Sequence, residues 1–305
     1  MAPYLSNTEH PGETLPDVSA PAKPSLYILS DFHPEAVKHA RELFDCVLYG
    51  DPRGDDWRKN ATAILIKDYY ITDADLEAAP QLKVIGKQGV GLDKIDLEAC
   101  KRHGVAVCNS PGINAGAVAE MTLCLAFNVA REVTDLIMRQ RVKGEAIRKE
   151  TVNGVLLSGK VLGIVGMGHI GSPWDHIPHQ RVDSLEEILD KADIVTLHLP
   201  LSANTRGMIS APQLKRMKSS AILLNTARGG LVDEEALTEA LEQGRIWGAG
   251  FDCHEQEPPT LEKYQRLWNC PRFVGTPHIA AATDETQIAT INAATDKVYK
   301  FMTSK

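Results

Sequence analysis

Three side chains in this 305-residue chain are of types that do chemistry together: Arg228 in LLNTARGG, Glu257 in DCHEQEPP and His278 in GTPHIAAAT. Histidine, with an unperturbed pKa of about 6.5, suits proton exchange with an alcohol or a carbonyl oxygen near neutral pH. A carboxylate touching the imidazole favours its protonated form and fixes its tautomer. A guanidinium can hold a carboxylate by two points and polarise an adjacent carbonyl. Each has a plain reading when taken alone: an arginine paired with a loop carboxylate, one structural histidine among ten, a solvated loop acid. Each also follows a different apolar run that reads as a buried strand (221–225, 247–251 and 273–274), and open α/β sheets bind ligands at such strand ends. Acid/base, tuning carboxylate and carboxylate anchor together are a set for moving a hydride to or from the C2 carbon of a small 2-hydroxy or 2-keto acid.

Two glycine stretches supply the backbone such a site needs. Lys160 to Gly171 reads KVLGIVGMGHIG, an apolar strand running into Gly166-Met167-Gly168-His169-Ile170-Gly171. That G-x-G-x-x-G pattern after a strand gives a tight turn, a bare backbone for a pyrophosphate and a helix start facing the anion. The second, Gly89-Val90-Gly91, reads either as a nest of amides for an anion or as a plain turn.

The elements that must position these residues alternate. Strands are predicted at 26–29, 46–49, 61–66, 82–86 and 105–108, with a helix at 34–44, a short helix capped by Thr72 and a helix at 94–103. A long apolar helix is expected over 114–141, connecting two domains. Beyond the glycine motif, Ser184 and Glu187 form a capping box for a helix at 185–191. Strands follow at 194–199, 221–225, 247–251 and 273–274, with helices near 211–218 and 233–243 and a last one at 286–302. The βα alternation predicts an α/β fold of two Rossmann-like, doubly wound parallel-sheet domains. The expected organisation is a disordered tail at 1–24, a substrate domain at 25–112, a nucleotide domain at 113–280 and a C-terminal helix at 281–305 returning to the substrate domain.

Lys and Arg number 33 against 40 Asp and Glu, a net charge of −7, which argues against nucleic acid or an anionic membrane as partner. No apolar run approaches the roughly 20 residues of a membrane span, and the amino-terminal segment lacks the apolar core of a signal peptide. The six cysteines show no CxxC spacing, so reduced, buried thiols in a cytoplasmic protein are expected and no metal is.

In these motifs the chain resembles the D-isomer-specific 2-hydroxyacid dehydrogenases, a family that includes D-3-phosphoglycerate, D-lactate and hydroxypyruvate/glyoxylate enzymes. The matching stretches are VIGKQGVGLDKID, NAGAVAEMTL, LSGKVLGIVGMGHIG, ADIVTLHLPL, LLNTARGGLVDEEAL, GAGFDCHEQEPP and TPHIAAAT, in the family's order from about residue 25 onward. The resemblance implies that Arg228 binds the substrate carboxylate with the amides of Gly89, Val90 and Gly91, that His278 is the acid/base and that Glu257 pairs with it. It implies NAD, with NADP also open, held by the glycine motif with His198, Pro200, Thr226, Ala227 and Asp252, the last on the nicotinamide carboxamide. It also implies a homodimer through the 114–141 helix. Lys87 stands where many relatives have Arg.

The departure lies after Gly171. In a Rossmann unit the last glycine opens a helix, a second strand follows, and an acid about 20 residues on takes the ribose hydroxyls. Here SPWDHIPHQRVDSLEEILDKADIV follows instead, and Pro173 and Pro178 limit any helix to a turn or two. Asp175 and Asp183 lie in this junction, but neither ends a predicted strand. Roughly 20 residues or more are missing, in effect one helix and one strand, through a lost exon, an erroneous gene model or an evolved deletion. The strand at 194–199 is matched to the third strand of the family pattern, which requires it to slide across or stay displaced. The rival reading is a non-catalytic, nucleotide-sensitive scaffold of the corepressor type, or an inactive truncated isoform.

Overall fold

The structure, a computed structural model, describes residues 22–168 and 177–304. Most of the expected tail and His169, Ile170, Gly171, Pro173 and Asp175 therefore lie outside the described residues. Apolar runs of four form most strands and are buried on both faces, as parallel strands between helical layers must be. The chain begins β1 (Ser25–Ile28), α1 (Pro34–Leu43), β2 (Asp45–Val47), α2 (Trp57–Asn60), β3 (Ala63–Ile66), α3 (Asp73–Glu77), β4 (Val84–Lys87), α4 (Leu97–Arg102) and β5 (Ala106–Asn109). It continues α5 (Ala115–Ala130), α6 (Val133–Arg141), β6 (Leu162–Val165), α7 (Leu185–Lys191), β7 (Ile194–Leu197), α8 (Ala211–Arg216) and β8 (Ile222–Asn225). It ends α9 (Glu234–Glu242), β9 (Gly248–Phe251), α10 (Leu261–Trp268), β10 (Phe273–Gly275) and α11 (Asp284–Thr303).

Two parallel sheets result, ordered β2-β1-β3-β4-β5 and β10-β9-β8-β7-β6. In the first, Ile64, Ile66 and Ile85 face Trp57, Leu76 and Ala99 of α2, α3 and α4. Leu26, Ile28 and Leu65 face Ala36 and Ala40 of α1 and Ile291, Ala294 and Val298 of α11. Burying a side chain such as Ile291 or Val298 contributes about 1.5–3 kcal/mol, which ties the C-terminal helix to the first sheet. In the second sheet Val195, Leu197, Leu223 and Phe251 pack under α7 to α10, and Ile222, Leu224 and Val274 pack under Leu125, Ala126 and Val129 of α5. Alternate residues thus serve opposite layers, the period-two signature of strands.

The structure changes several expectations. The long helix over 114–141 breaks between α5 and α6, where Glu132 takes a left-handed backbone with φ 53° and the Asn128 side chain accepts from the Thr134 amide (2.9 Å). The capping box of α7 is half formed: Ser184 accepts from the Glu187 amide (3.2 Å), with no return bond. The sequence does not predict α10, an amphipathic helix of about two turns following Thr260. Of the six free cysteines, three are buried and Cys124 is exposed, so the expectation of buried thiols holds for half.

The largest correction concerns β7. It pairs directly with β6, Leu162 opposite Ile194 through Val165 opposite Leu197, with no slip. In the doubly wound order 3-2-1-4-5-6 the first strand is flanked by the second and the fourth, so β7 occupies the fourth place and not the third. No displacement is needed, because strand four belongs beside strand one. Among the described residues no strand lies on the other side of β6, where the second and third would sit.

Candidate active site

The glycine loop after β4 comes from the first sheet, and the loops after β8, β9 and β10 come from the second. Asn225, the last residue of β8, fixes the turn that follows: its side chain donates to the Arg228 carbonyl (2.8 Å) and accepts from the Ala227 amide (3.2 Å). Arg228 then reaches across to the first sheet, its Nε donating to Asp93 (2.7 Å) and a terminal nitrogen to the Ala227 carbonyl (2.7 Å). Its other terminal nitrogen lies against Gly91, where an added Cβ would sit 1.8 Å away. Glycine at 91 is what lets the guanidinium lie on the loop. The plain reading of Arg228 as an ion-pair partner is thus realised with Asp93, and the contact with the glycine loop is realised too.

Within that loop Gly89 has φ 83°, and its amide already donates to Ser110 Oγ (2.8 Å). The expected three-amide nest is therefore reduced to Val90 and Gly91, whose amides have no protein partner among the described residues. Asn109 holds the loop from behind by donating to the Val90 carbonyl (2.9 Å). Lys87 is buried, its ammonium donating to the Gln88 carbonyl, and burial pulls its pKa down to about 8 against the opposing charge of Asp68.

His278 and Glu257 meet as expected. Nδ1 lies 2.9 Å from both carboxylate oxygens, leaving Nε2 for a ligand, and the two side chains are 43% and 29% exposed. The buried Cys253 sulfur and the Glu257 carboxylate both favour the protonated ring and push its pKa up to about 10, against the burial of the site. Burial raises the Cys253 thiol as well, so it stays protonated and Glu257 is the partner that carries charge. Burial works against the Glu257 carboxylate, but the hydrogen bond and charge of His278 hold it below its ordinary value.

Asp252 supports the segment that presents His278. It is fully buried, and its carboxylate accepts from Thr276 Oγ1 (2.7 Å) and from the amides of Ile279 (2.8 Å) and Ala280 (2.9 Å). Its own carbonyl takes the His278 amide (2.7 Å). It anchors the His278 segment, which holds φ 57°.

For a dinucleotide the fit is divided. Gly166 turns sharply after β6 with φ 100°, and a Cβ there would lie 2.4 Å from the His198 carbonyl. Beside it, Nδ1 of His198 is buried without a partner, and burial drops that ring's pKa to about 4. An open glycine turn next to an orphaned polar atom fits the pyrophosphate. Met167 and Pro200 are exposed alongside, whereas Thr226 is buried against Thr122 (2.9 Å) and Ala227 is buried. The adenosine half does not fit: no strand end carrying an acid lies beyond β6 among the described residues. Sequence reasoning gave no role to Asp93, Asn109, Ser110 and Cys253; Asp93 and Cys253 lie inside matched stretches, but only the fold brings all four to these loops.

The profile of the D-isomer specific 2-hydroxyacid dehydrogenase NAD-binding domain matches residues 174–280. The chain is 36% identical over 268 residues to a D-3-phosphoglycerate dehydrogenase of Methanocaldococcus jannaschii, covering 80% of this chain but only half the length of that relative. It is 35% identical over 250 residues to a hydroxypyruvate reductase of Thermotoga maritima, covering 75% of this chain and 81% of the relative. Its fold superposes on the crystal structure of the TT0316 protein from Thermus thermophilus with a TM-score of 0.81 at 32% identity, covering 91% of this chain and 96% of that one. With two parallel sheets, the facing loops and these similarities in hand, the chain belongs to the D-isomer specific 2-hydroxyacid dehydrogenase family.

Proposed function

We propose that the chain is an oxidoreductase acting on small D-2-hydroxy and 2-keto acids with NAD, NADP being the alternative cofactor. The observation that carries this is the His278–Glu257 pair, with Nδ1 engaged and Nε2 open, standing beside Arg228 in a member of this family. When bound, the nicotinamide supplies or accepts the hydride. Arg228 and the amides of Val90 and Gly91 hold the substrate carboxylate, which fixes C2 and its oxygen in the cleft. His278 gives its Nε2 proton to the developing alkoxide in reduction and takes it back in oxidation. Glu257 keeps the ring charged and oriented, and Asp252 holds the segment that presents it. The turn at Gly166–Gly168 and His198 would hold the pyrophosphate.

In this reading, residues 25–112 with 281–305 form the substrate domain and 113–280 the nucleotide domain, the latter shortened after its glycine motif. Support for the shortening is that no strand among the described residues lies on the far side of β6, and that the family profile begins only at residue 174. In addition, three quarters of a 305-residue chain is fewer than the 250 aligned positions of the Thermotoga relative, so that relative has residues without a counterpart here. A homodimer through α5 and α6 is supported by exposed Leu123, Phe127, Ile137 and Met138. No described helix is long and apolar enough to cross a membrane, and six unpaired cysteines suit the cytoplasm.

The test is NADH consumption with glyoxylate, hydroxypyruvate and phosphohydroxypyruvate, at cofactor concentrations high enough to offset weak binding. Turnover of at least one keto acid is expected. No turnover of any of them, in this chain or with the missing segment restored, would leave the scaffold reading.

A further inference from the structure

Cys253 stands beside the acid/base pair, and the reaction above makes no use of it. Its sulfur, a carboxylate oxygen of Glu257 and a ring nitrogen of His278 all lie within 4.8 Å of one another. Thiolate, imidazole and carboxylate are the donor set of a zinc site with an open fourth position. Ligand atoms around a tetrahedral zinc sit roughly 3.5 Å apart, so adjustments of about an ångström close the set. The backbone is already fixed for it. Cys253 and Glu257 share the loop after β9, where the Glu257 carboxylate accepts from the His254 amide (3.3 Å), and Asp252 bonds the His278 segment through side chain and carbonyl alike. Cys253 is fully buried, but His278 and Glu257 open to the cleft, which gives a cation its way in.

We propose that Cys253, Glu257 and His278 form a binding site for a zinc-class divalent cation, and that its occupation arrests proton transfer. On binding, the thiol and the imidazolium each lose a proton to solvent, three cation–ligand bonds replace three cation–water bonds, and nothing is oxidised or reduced. Metal on Nδ1 leaves Nε2–H as a fixed donor that no longer cycles its proton. The carboxylate hold of Arg228, Val90 and Gly91 is untouched. Zinc therefore lowers kcat and leaves KM for the keto acid nearly unchanged. The inhibition rests on the proposed reaction; the binding does not.

The full chain is titrated with Co²⁺, which takes zinc geometries and gives a thiolate charge-transfer band. One equivalent producing that band, displaced by Zn²⁺, is expected in the unmodified chain and in Cys124→Ser, whose residue is exposed elsewhere. Cys253→Ser removes the band, together with zinc sensitivity of turnover. Should that buried variant not fold, His278→Gln at a half-exposed position serves instead and weakens Co²⁺ binding about tenfold or more. No band in the unmodified chain, a band surviving Cys253→Ser, or equal affinity in His278→Gln would overturn the site, whether or not the chain proves to be a reductase.

Discussion

The ion pair between Arg228 and Asp93 is only partly buried, with side chains 25% and 43% exposed, and such pairs contribute about 0–1 kcal/mol. A substrate carboxylate can therefore take the guanidinium from Asp93 at little cost. What matters more is shape. Arg228→Lys keeps the charge but loses the planar two-point grip, and Gly91→Ala drives a methyl into the space of the terminal nitrogen. Both should raise KM for keto acid about tenfold or more, without lowering the melting temperature, since a flexible side chain yields before the fold does. Steady-state kinetics with a thermal melt checks this; unchanged KM would make Arg228 a structural ion-pair residue. The pH dependence has a definite sign. His278 sits above its ordinary value, so its contacts with Cys253 and Glu257 stabilise fully below pH 6.5, its unfolded value, and that stabilisation is lost as pH rises through about 10. Reduction needs the protonated ring, so its alkaline limb follows the same value. Glu257→Gln removes the carboxylate and should move that limb to lower pH; an unmoved limb would show that Glu257 does not set the charge of His278. Arg228, Glu257 and His278 were legible because each is a chemically specific type just past an apolar run. Asp93 and Ser110 were not, because an acid and a serine in polar loops look like any others until β4, β5 and β8 are folded together. Gly89 was misjudged for the same reason: the hydroxyl that takes its amide is 21 residues away.

At the scale of elements, strand and helix identity followed from apolar periodicity, and ten parallel strands lie close to where the runs place them. Pairing order was less legible. Sequence spacing suggested that β7 was a displaced third strand, whereas its pairing with β6 makes it the fourth, a distinction carried by topology and not by residue pattern. The break at Glu132 escaped notice because it needs neither proline nor glycine. The consequence of the unfilled places beside β6 is specific to the cofactor. Among the described residues no neighbouring strand end offers an acid for the ribose or a floor for the adenine, while the turn at Gly166–Gly168 remains. Ligand stabilisation follows RT ln(1 + [L]/Kd), so NADH should raise the melting temperature of this chain little. Inserting a relative's helix–strand segment after Gly171 should restore a clear rise; a large rise in the unmodified chain would mean that its short junction completes the site.

For the whole molecule, the proposed division of labour is between a first sheet that offers amides and a second that offers side chains, with α11 packed on the first sheet beside α1. The proposed carboxylate grip spans the two sheets through Arg228, Asp93 and Gly91, and the proposed acid/base pair is built wholly on the second. That arrangement predicts separable effects: changes at the junction act on binding, and changes at His278 act on turnover. The most direct measurement is the reduction of hydroxypyruvate by NADH with the cofactor domain completed, comparing His278 with His278→Gln. The account predicts a fall in kcat of about 10²–10⁴-fold, the contribution of a positioned general acid, with a small change in KM. Full activity in His278→Gln would contradict it.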